Sequence, residues 1–253
     1  MIVCITIISC MLLFQILIAA AYYSKERVDT VDNRLYGKLL VSTLLGLVLE
    51  LLCYITIIES DASSTLQILA MVVNKMFLVY LLIWEFLFTA YVVYISFNGS
   101  QKIVDIVNKK YQRIYFIFLT TIGVLSLILI ALPLEFHNDG VYVFSYGLGT
   151  NVLTLFGCVF VIVDFICFFR NIKHIVSKKY VPLIVMILLM MLIIVLRVLN
   201  PGITIINSCF AFVTIIMYFT IENPDVKMIQ ALEVAREQAD KANRANLMTS
   251  LGI

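Results

Sequence analysis

Seven long apolar stretches, separated by short polar loops, constrain this chain more than any other feature of its sequence. Each approaches or exceeds the roughly 20 residues that a transmembrane helix needs. They lie at about residues 2–23, 39–58, 66–97, 114–134, 149–169, 181–199 and 203–219. With 62% hydrophobic and 13% charged residues, the composition excludes a soluble fold. We therefore predict an all-α integral membrane protein, built as a seven-transmembrane-helix bundle over residues 1–220.

The distribution of basic residues predicts the orientation of this bundle. The loops after spans 1, 3 and 5 hold twelve lysines and arginines, four in each, and the intervening loops hold none. Because basic loops stay in the cytoplasm, we expect an external N-terminus and a cytoplasmic C-terminus in a multi-pass protein of the plasma membrane. No basic residue precedes the apolar run of span 1, so we interpret it as a membrane helix rather than a cleaved signal peptide.

Two segments depart from a minimal bundle. Span 3 is longer than a bilayer requires, so we expect it to tilt or, preferably, to project into the cytoplasm. A basic, partly amphipathic stretch from Gln101 to Tyr115 follows it. The external loop from Glu135 to Tyr146 is rich in aromatic residues, and its Asn138-Asp139-Gly140 sequence predicts a short hairpin that forms a lid over the bundle.

Ionisable residues inside the predicted spans are candidates for an intramembrane polar site, because a charge there requires a partner or water. They are Glu50, Lys75, Glu85, Asp164 and Arg197. Helical rise puts Glu50 and Lys75 at the same depth, roughly 12 to 14 Å, which predicts an ion pair. Asp164 lies at a depth that Glu85 matches only if span 3 begins late.

Three interpretations of these residues remain open. Glu50, Lys75 and Arg197 form a ligand pocket below the external loop, or they form an interhelical staple that fixes packing. In the third interpretation, the buried charges provide a proton relay or transport path.

Patterns typical of enzymes and cofactor proteins are missing from the sequence. All six cysteines fall in apolar spans without a CxxC pair, and His137 and His174 lie in loops on opposite sides of the membrane. Span 7 has no lysine for a retinal Schiff base, and no nucleotide loop or catalytic triad is present. We expect no catalytic, cofactor-binding or metal-binding residues and no nucleic-acid partner.

The last segment, residues 221–253, predicts a cytoplasmic amphipathic helix. Asn223 suits the N-cap, Pro224 the first helical position, and Asp225 the positive end of the helix dipole. A coiled-coil-like seam follows at heptad spacing: Met228, Leu232, Ala235, Ala239 and Ala242. Such a seam requires a partner helix, so we expect a homodimer; the alternative is a solvated tail.

A resemblance to a known family rests on two parts of this segment, Glu222-Asn-Pro-Asp225 and Ala235-Arg-Glu-Gln-Ala-Asp-Lys-Ala-Asn-Arg-Ala245. Together they resemble the linker that feeds the dimerisation helix of membrane-bound sensor histidine kinases. The Ser-His-Glu-Ile-Arg-Thr-Pro phosphoacceptor box of that family and its ATP-binding domain do not occur in this sequence. The resemblance therefore implies the input region of a kinase, and we expect no enzyme activity from this chain itself.

These features predict a membrane signal-input module. Its helix bundle detects an unidentified small-molecule or membrane-derived stimulus and passes the change to a dimeric cytoplasmic helix. The alternatives are a small transporter or channel that uses the buried charges, and an inactive truncated fragment.

Overall fold

Seven α-helices, a short 3-10 helix (Ser60–Ala62) and one β-hairpin form the described part of the computed structural model. This part comprises residues 2–24, 31–97, 120–170, 180–199 and 205–221 and the isolated positions 236 and 239. The helices are α1 (Ile2–Tyr23), α2 (Val31–Glu59), α3 (Ser64–Phe97), α4 (Thr120–Ala131), α5 (Leu148–Arg170), α6 (Val181–Leu199) and α7 (Ile206–Ile221). The strands are β1 (Glu135–Asn138) and β2 (Val143–Tyr146).

Four of the helices, α1, α2, α3 and α5, are long and apolar enough to cross a membrane. The described apolar stretches of α4, α6 and α7 are shorter. Large apolar side chains such as Leu13, Leu17, Leu155 and Ile166 are more than half exposed on the outer faces of α1 and α5. A helix that is apolar on its outer as well as its inner face is typical of a lipid environment. These properties are those of an all-α membrane protein.

The ends of the helices follow polar signals that flank the apolar runs. α2 begins at Val31 rather than at residue 39, so its first turns include Asn33, Arg34 and Lys38. α3 begins directly after Ser63, whose Oγ accepts the backbone N–H of Leu66 at 3.3 Å as an N-cap. The helical segments therefore extend beyond the purely apolar stretches from which they were predicted.

The helices pack around α2 and α3, which share the most extensive interface. α1 and α7 pack on α2, α5 packs on α3, and α6 packs on α7. In the core, the ring of Trp84 on α3 is stacked on Phe210 of α7, with centroids 3.7 Å apart. Its indole N–H donates to Oγ1 of Thr43 on α2 at 2.7 Å. One side chain thus connects three helices.

The predicted hairpin is confirmed. β1 and β2 pair antiparallel, with Glu135 opposite Tyr146 and Asn138 opposite Val143. Gly140 has a positive φ of 79° in the turn, where Oδ1 of Asp139 accepts the N–H groups of Val141 and Tyr142. The hairpin also packs on the bundle, because a buried cluster unites its Val143 with α1, α2 and α7: Ile8, Leu47, Tyr54, Ile57 and Ala211.

Candidate functional site

A group of buried polar side chains joins α2, α3 and α7, and we call Glu50, Tyr80 and Asn207 the polar cluster. The hydroxyl of Tyr80 on α3 donates to Oδ1 of Asn207 on α7 at 2.5 Å. Glu50 on α2 lies beside the same asparagine. Gly46, one turn before Glu50, makes this arrangement possible, because a Cβ atom there would overlap the ring of Tyr80.

The carboxylate of Glu50 has no cationic partner among the described residues. The side chain is 3% exposed, and neither of its oxygens nor Nδ2 of Asn207 completes a hydrogen bond of regular geometry. It lies near the first turn of α7, beside Asn207 and close to Cys209, where the helix dipole favours a negative neighbour. Because the hydrogen-bonding capacity of the Glu50 carboxyl group is only partly used, Glu50 is able to bind a proton, a water molecule or a polar ligand group.

Lys75 does not pair with Glu50, so the predicted ion pair is wrong. The Lys75 ammonium donates instead to the backbone carbonyl of Ile130 on α4 at 2.5 Å. The prediction compared depth along each helix, but a pair also requires both side chains to face one interface. Lys75 faces α4, whereas Glu50 faces α7.

Glu85 on α3 and Asp164 on α5 lie at one helix interface, within electrostatic range of each other, and we call them the acidic pair. The Glu85 carboxylate lies over Gly157, where a Cβ atom would be 3.1 Å from Oε1. Thr89, one turn further along α3, lies beside Asp164. Glu85 and Asp164 are 6% and 4% exposed. Two carboxylates within electrostatic range repel each other when both are charged, so the arrangement favours a proton on one of them or a bound cation.

Contacts between α3 and α5 show how Glu85 and Asp164 reach one interface, which the sequence analysis allowed only if span 3 begins late. Leu78 meets Gly149, Glu85 meets Gly157, and Ser96 meets Cys167, so the helices run parallel with numbers 71 or 72 apart. Residues 64–76 of α3 therefore precede the level at which α5 begins. Compared with α5, α3 therefore extends further at its N-terminal end, and the projection of span 3 into the cytoplasm stays a prediction.

Uncharged polar residues that the sequence interpretation overlooked also join the helices. Gln15 on α1 donates from Nε2 to Oγ1 of Thr214 on α7 at 2.7 Å, and both side chains are fully buried. Gln15, Thr214 and Asn207 are polar residues within apolar runs, which is the signal that would have found them. The search for charged residues alone passed over them.

The remaining predicted residues lie outside the described side chains. Arg197 falls within α6, and nothing is described of its side chain. Met228, Leu232, Ala235 and Ala242 of the predicted seam, like the stretch from Gln101 to Tyr115 and His174, are not among the described residues. Arg236 and Ala239 are described, and both are helical and exposed.

A scan against protein-family models finds no match for this chain, and a search of the curated proteins finds no significantly similar sequence.

Proposed function

We propose that this chain is the membrane signal-input module of a two-component sensor histidine kinase. The observation that carries the proposal is the position of α7. This helix holds Asn207 of the polar cluster and Thr214, and it ends at Ile221, directly before the Glu222-Asn223 start of the predicted linker. A change at the buried polar groups therefore acts on the helix that leads into the tail.

The hydrogen bonds of α7 give a physical route for such a change. Asn207 binds Tyr80 on α3, and Thr214 binds Gln15 on α1, so α7 is held to two neighbours by two buried bonds. Each bond contributes roughly 1 kcal/mol net. A ligand that competes for one of them provides a coupling energy in the range of about 1 to 3 kcal/mol that is typical of signalling proteins. The stimulus is then a small polar or membrane-derived molecule that reaches Glu50.

Orientation and assembly complete the proposal. The twelve basic residues in alternate loops support an external N-terminus, an external hairpin and a cytoplasmic tail in the cell membrane. The seam from Met228 to Ala242 supports a homodimer of the tail. Its small residues bury little area, so the dimer is weak and able to change register.

A chimaera tests this function. Residues 1–246 are joined, in heptad register, to the dimerisation helix and catalytic core of a histidine kinase whose autophosphorylation is readily measured. We expect autophosphorylation in membrane vesicles, and we expect Asn207→Ala to change its rate while Leu155→Ala, on the exposed face of α5, does not. An unchanged rate in the Asn207→Ala chimaera would refute the proposed coupling through α7.

The second candidate is a small transporter or channel, which the acidic pair favours. Glu85 and Asp164 lie without a basic partner in the described part of the chain, as expected of a proton or cation path. Proteoliposomes loaded with a pH-sensitive dye distinguish the candidates. A proton flux that is abolished by Glu85→Gln supports transport, whereas flux no greater than that of empty liposomes rejects it.

A further inference from the structure

We propose that a groove between α1, α2 and α3 binds one anionic phospholipid from the adjacent leaflet. The groove has a volume of about 780 Å³. It opens at the side of the bundle, because Val41, Leu45 and Ile83 in its wall are between 37% and 61% exposed. The groove is separate from the acidic pair. Lipid binding there does not depend on the proposed signalling function.

One end of the groove is basic and polar. Arg34 and Lys38 line it on α2 and are exposed, and Tyr23 of α1 also lines it. Gly37 lies against Tyr23, since a Cβ atom there would be at an ordinary contact distance of 3.6 Å from the Tyr23 hydroxyl. A guanidinium group binds a phosphate through two parallel hydrogen bonds, and a neighbouring ammonium group adds a compact positive charge. Tyrosine is typical of the level at which lipid headgroups lie.

The rest of the groove is an apolar wall with the length of one leaflet. On α2, Arg34, Lys38, Val41, Leu45 and Leu49 follow each other at spacings of three or four residues, so they form one stripe. The helical rise from Lys38 to Leu49 is about 17 Å, which is close to half of the roughly 30 Å hydrocarbon core. A chain that is anchored at Lys38 therefore runs along α2 as far as Leu49.

The separation of charge and apolar surface identifies the occupant. All the basic residues of the groove lie at one end, and Ile83 and Tyr80 of α3 line it further along, opposite the apolar stripe. A lipid carries its negative charge at one end and its apolar chains at the other, so it matches both parts at once. The two positive charges of Arg34 and Lys38 favour an anionic headgroup over a zwitterionic one.

Native mass spectrometry of the full chain tests the headgroup end. The protein is released from nanodiscs of equal parts phosphatidylglycerol and phosphatidylcholine, and we expect it to retain one phosphatidylglycerol preferentially. The variant with Arg34→Gln and Lys38→Gln should lower this preference by roughly fivefold for each charge removed. Arg170→Gln, at the exposed end of α5, is the control and should leave the preference unchanged. Equal retention of the two lipids by the native chain would overturn the proposal.

A second pair of variants tests the apolar wall. Leu45→Trp fills the groove, whereas Leu155→Trp places the same ring on the lipid face of α5; the two leucines are 61% and 62% exposed. Gel filtration and far-ultraviolet circular dichroism verify that both variants fold. We expect Leu45→Trp to lose the retained lipid and Leu155→Trp to keep it. The same retention in both variants would overturn the assignment of the lipid to this groove.

Discussion

Gly46 on α2 lies under the phenol ring of Tyr80 on α3, so closely that a Cβ atom at Gly46 would overlap the ring. The ring cannot move away without breaking the hydrogen bond from its hydroxyl to Asn207. The absence of one side chain on α2 therefore sets the contact between α3 and α7, on which the proposed signalling route depends.

Replacement of Gly46 by alanine should destabilise the protein. The added methyl group displaces Tyr80, and overpacking of this kind costs about 1 to 3 kcal/mol in the free energy of unfolding. Denaturation by sodium dodecyl sulfate in mixed micelles measures it. Gly123→Ala on α4 is the matched control, because a Cβ atom there meets nothing within 4 Å. Equal effects at the two positions would contradict the packing described for Tyr80.

Glu50→Gln should leave stability within about 1 kcal/mol of the native value, because glutamine has nearly the same shape and Glu50 has no ionic partner in the described residues. An ion pair with Lys75 would give a different result, since removing one partner of a buried pair costs about 3 to 5 kcal/mol. The double variant with Lys75→Gln should be additive to within about 0.5 kcal/mol. A loss of several kcal/mol in the free energy of unfolding of Glu50→Gln would contradict this account and support an ion pair between Glu50 and Lys75.

Trp84 is the only tryptophan of the chain and reports on its own environment. Thr43→Val removes the acceptor of the indole N–H, which should cost about 1 to 3 kcal/mol and shift the emission maximum to shorter wavelength. Thr56→Val provides the control, since that buried hydroxyl binds only the backbone of its own helix. Fluorescence and detergent denaturation measure both effects. An unshifted emission in Thr43→Val would contradict the hydrogen bond.

Asp139 in the hairpin turn should titrate below its ordinary range. The backbone N–H groups of Tyr142 and Val141 donate to its carboxylate and lower its pKa, and His137 adds a smaller effect. The hydrogen bonds to the charged Asp139 carboxylate stabilise the hairpin. Because the pKa of Asp139 is lower in the folded state, this stabilisation is present above the unfolded pKa and is lost as pH falls through the folded pKa. Carbon-13 NMR of the Asp139 carboxyl group measures the titration. In His137→Ala the pKa should remain low, whereas a return to the ordinary value would assign the effect to the histidine.

The parts of the fold that the sequence predicts are those in which a local pattern is sufficient. Charged or glycine-containing ends bound the apolar runs of α5 and α6, which lie within one residue of their predicted limits. The turn at Asp139 and Gly140 is likewise determined by adjacent residues. These elements require no knowledge of how the helices pack.

The site was less predictable because it depends on the rotation and offset of neighbouring helices. Depth counting paired Glu50 with Lys75, but their side chains face different helices. It matched Glu85 with Asp164 only if span 3 begins late, because the sequence does not give the offset between α3 and α5. Gln15 and Asn207 carry no charge, so a search for ionisable groups did not find them.

The central claim is that the chain passes a signal from its helix bundle to a dimeric tail, and disulfide crosslinking tests it most directly. Single cysteines are placed from Met228 to Ala242 in the 253-residue chain without its six native cysteines. We expect crosslinking with a period of about 3.5 residues and maxima at Met228, Leu232, Ala235, Ala239 and Ala242. We also expect Asn207→Ala to change the relative yields at these maxima, while Leu155→Ala leaves them unchanged. Uniform crosslinking, or none, would contradict a dimeric signalling helix.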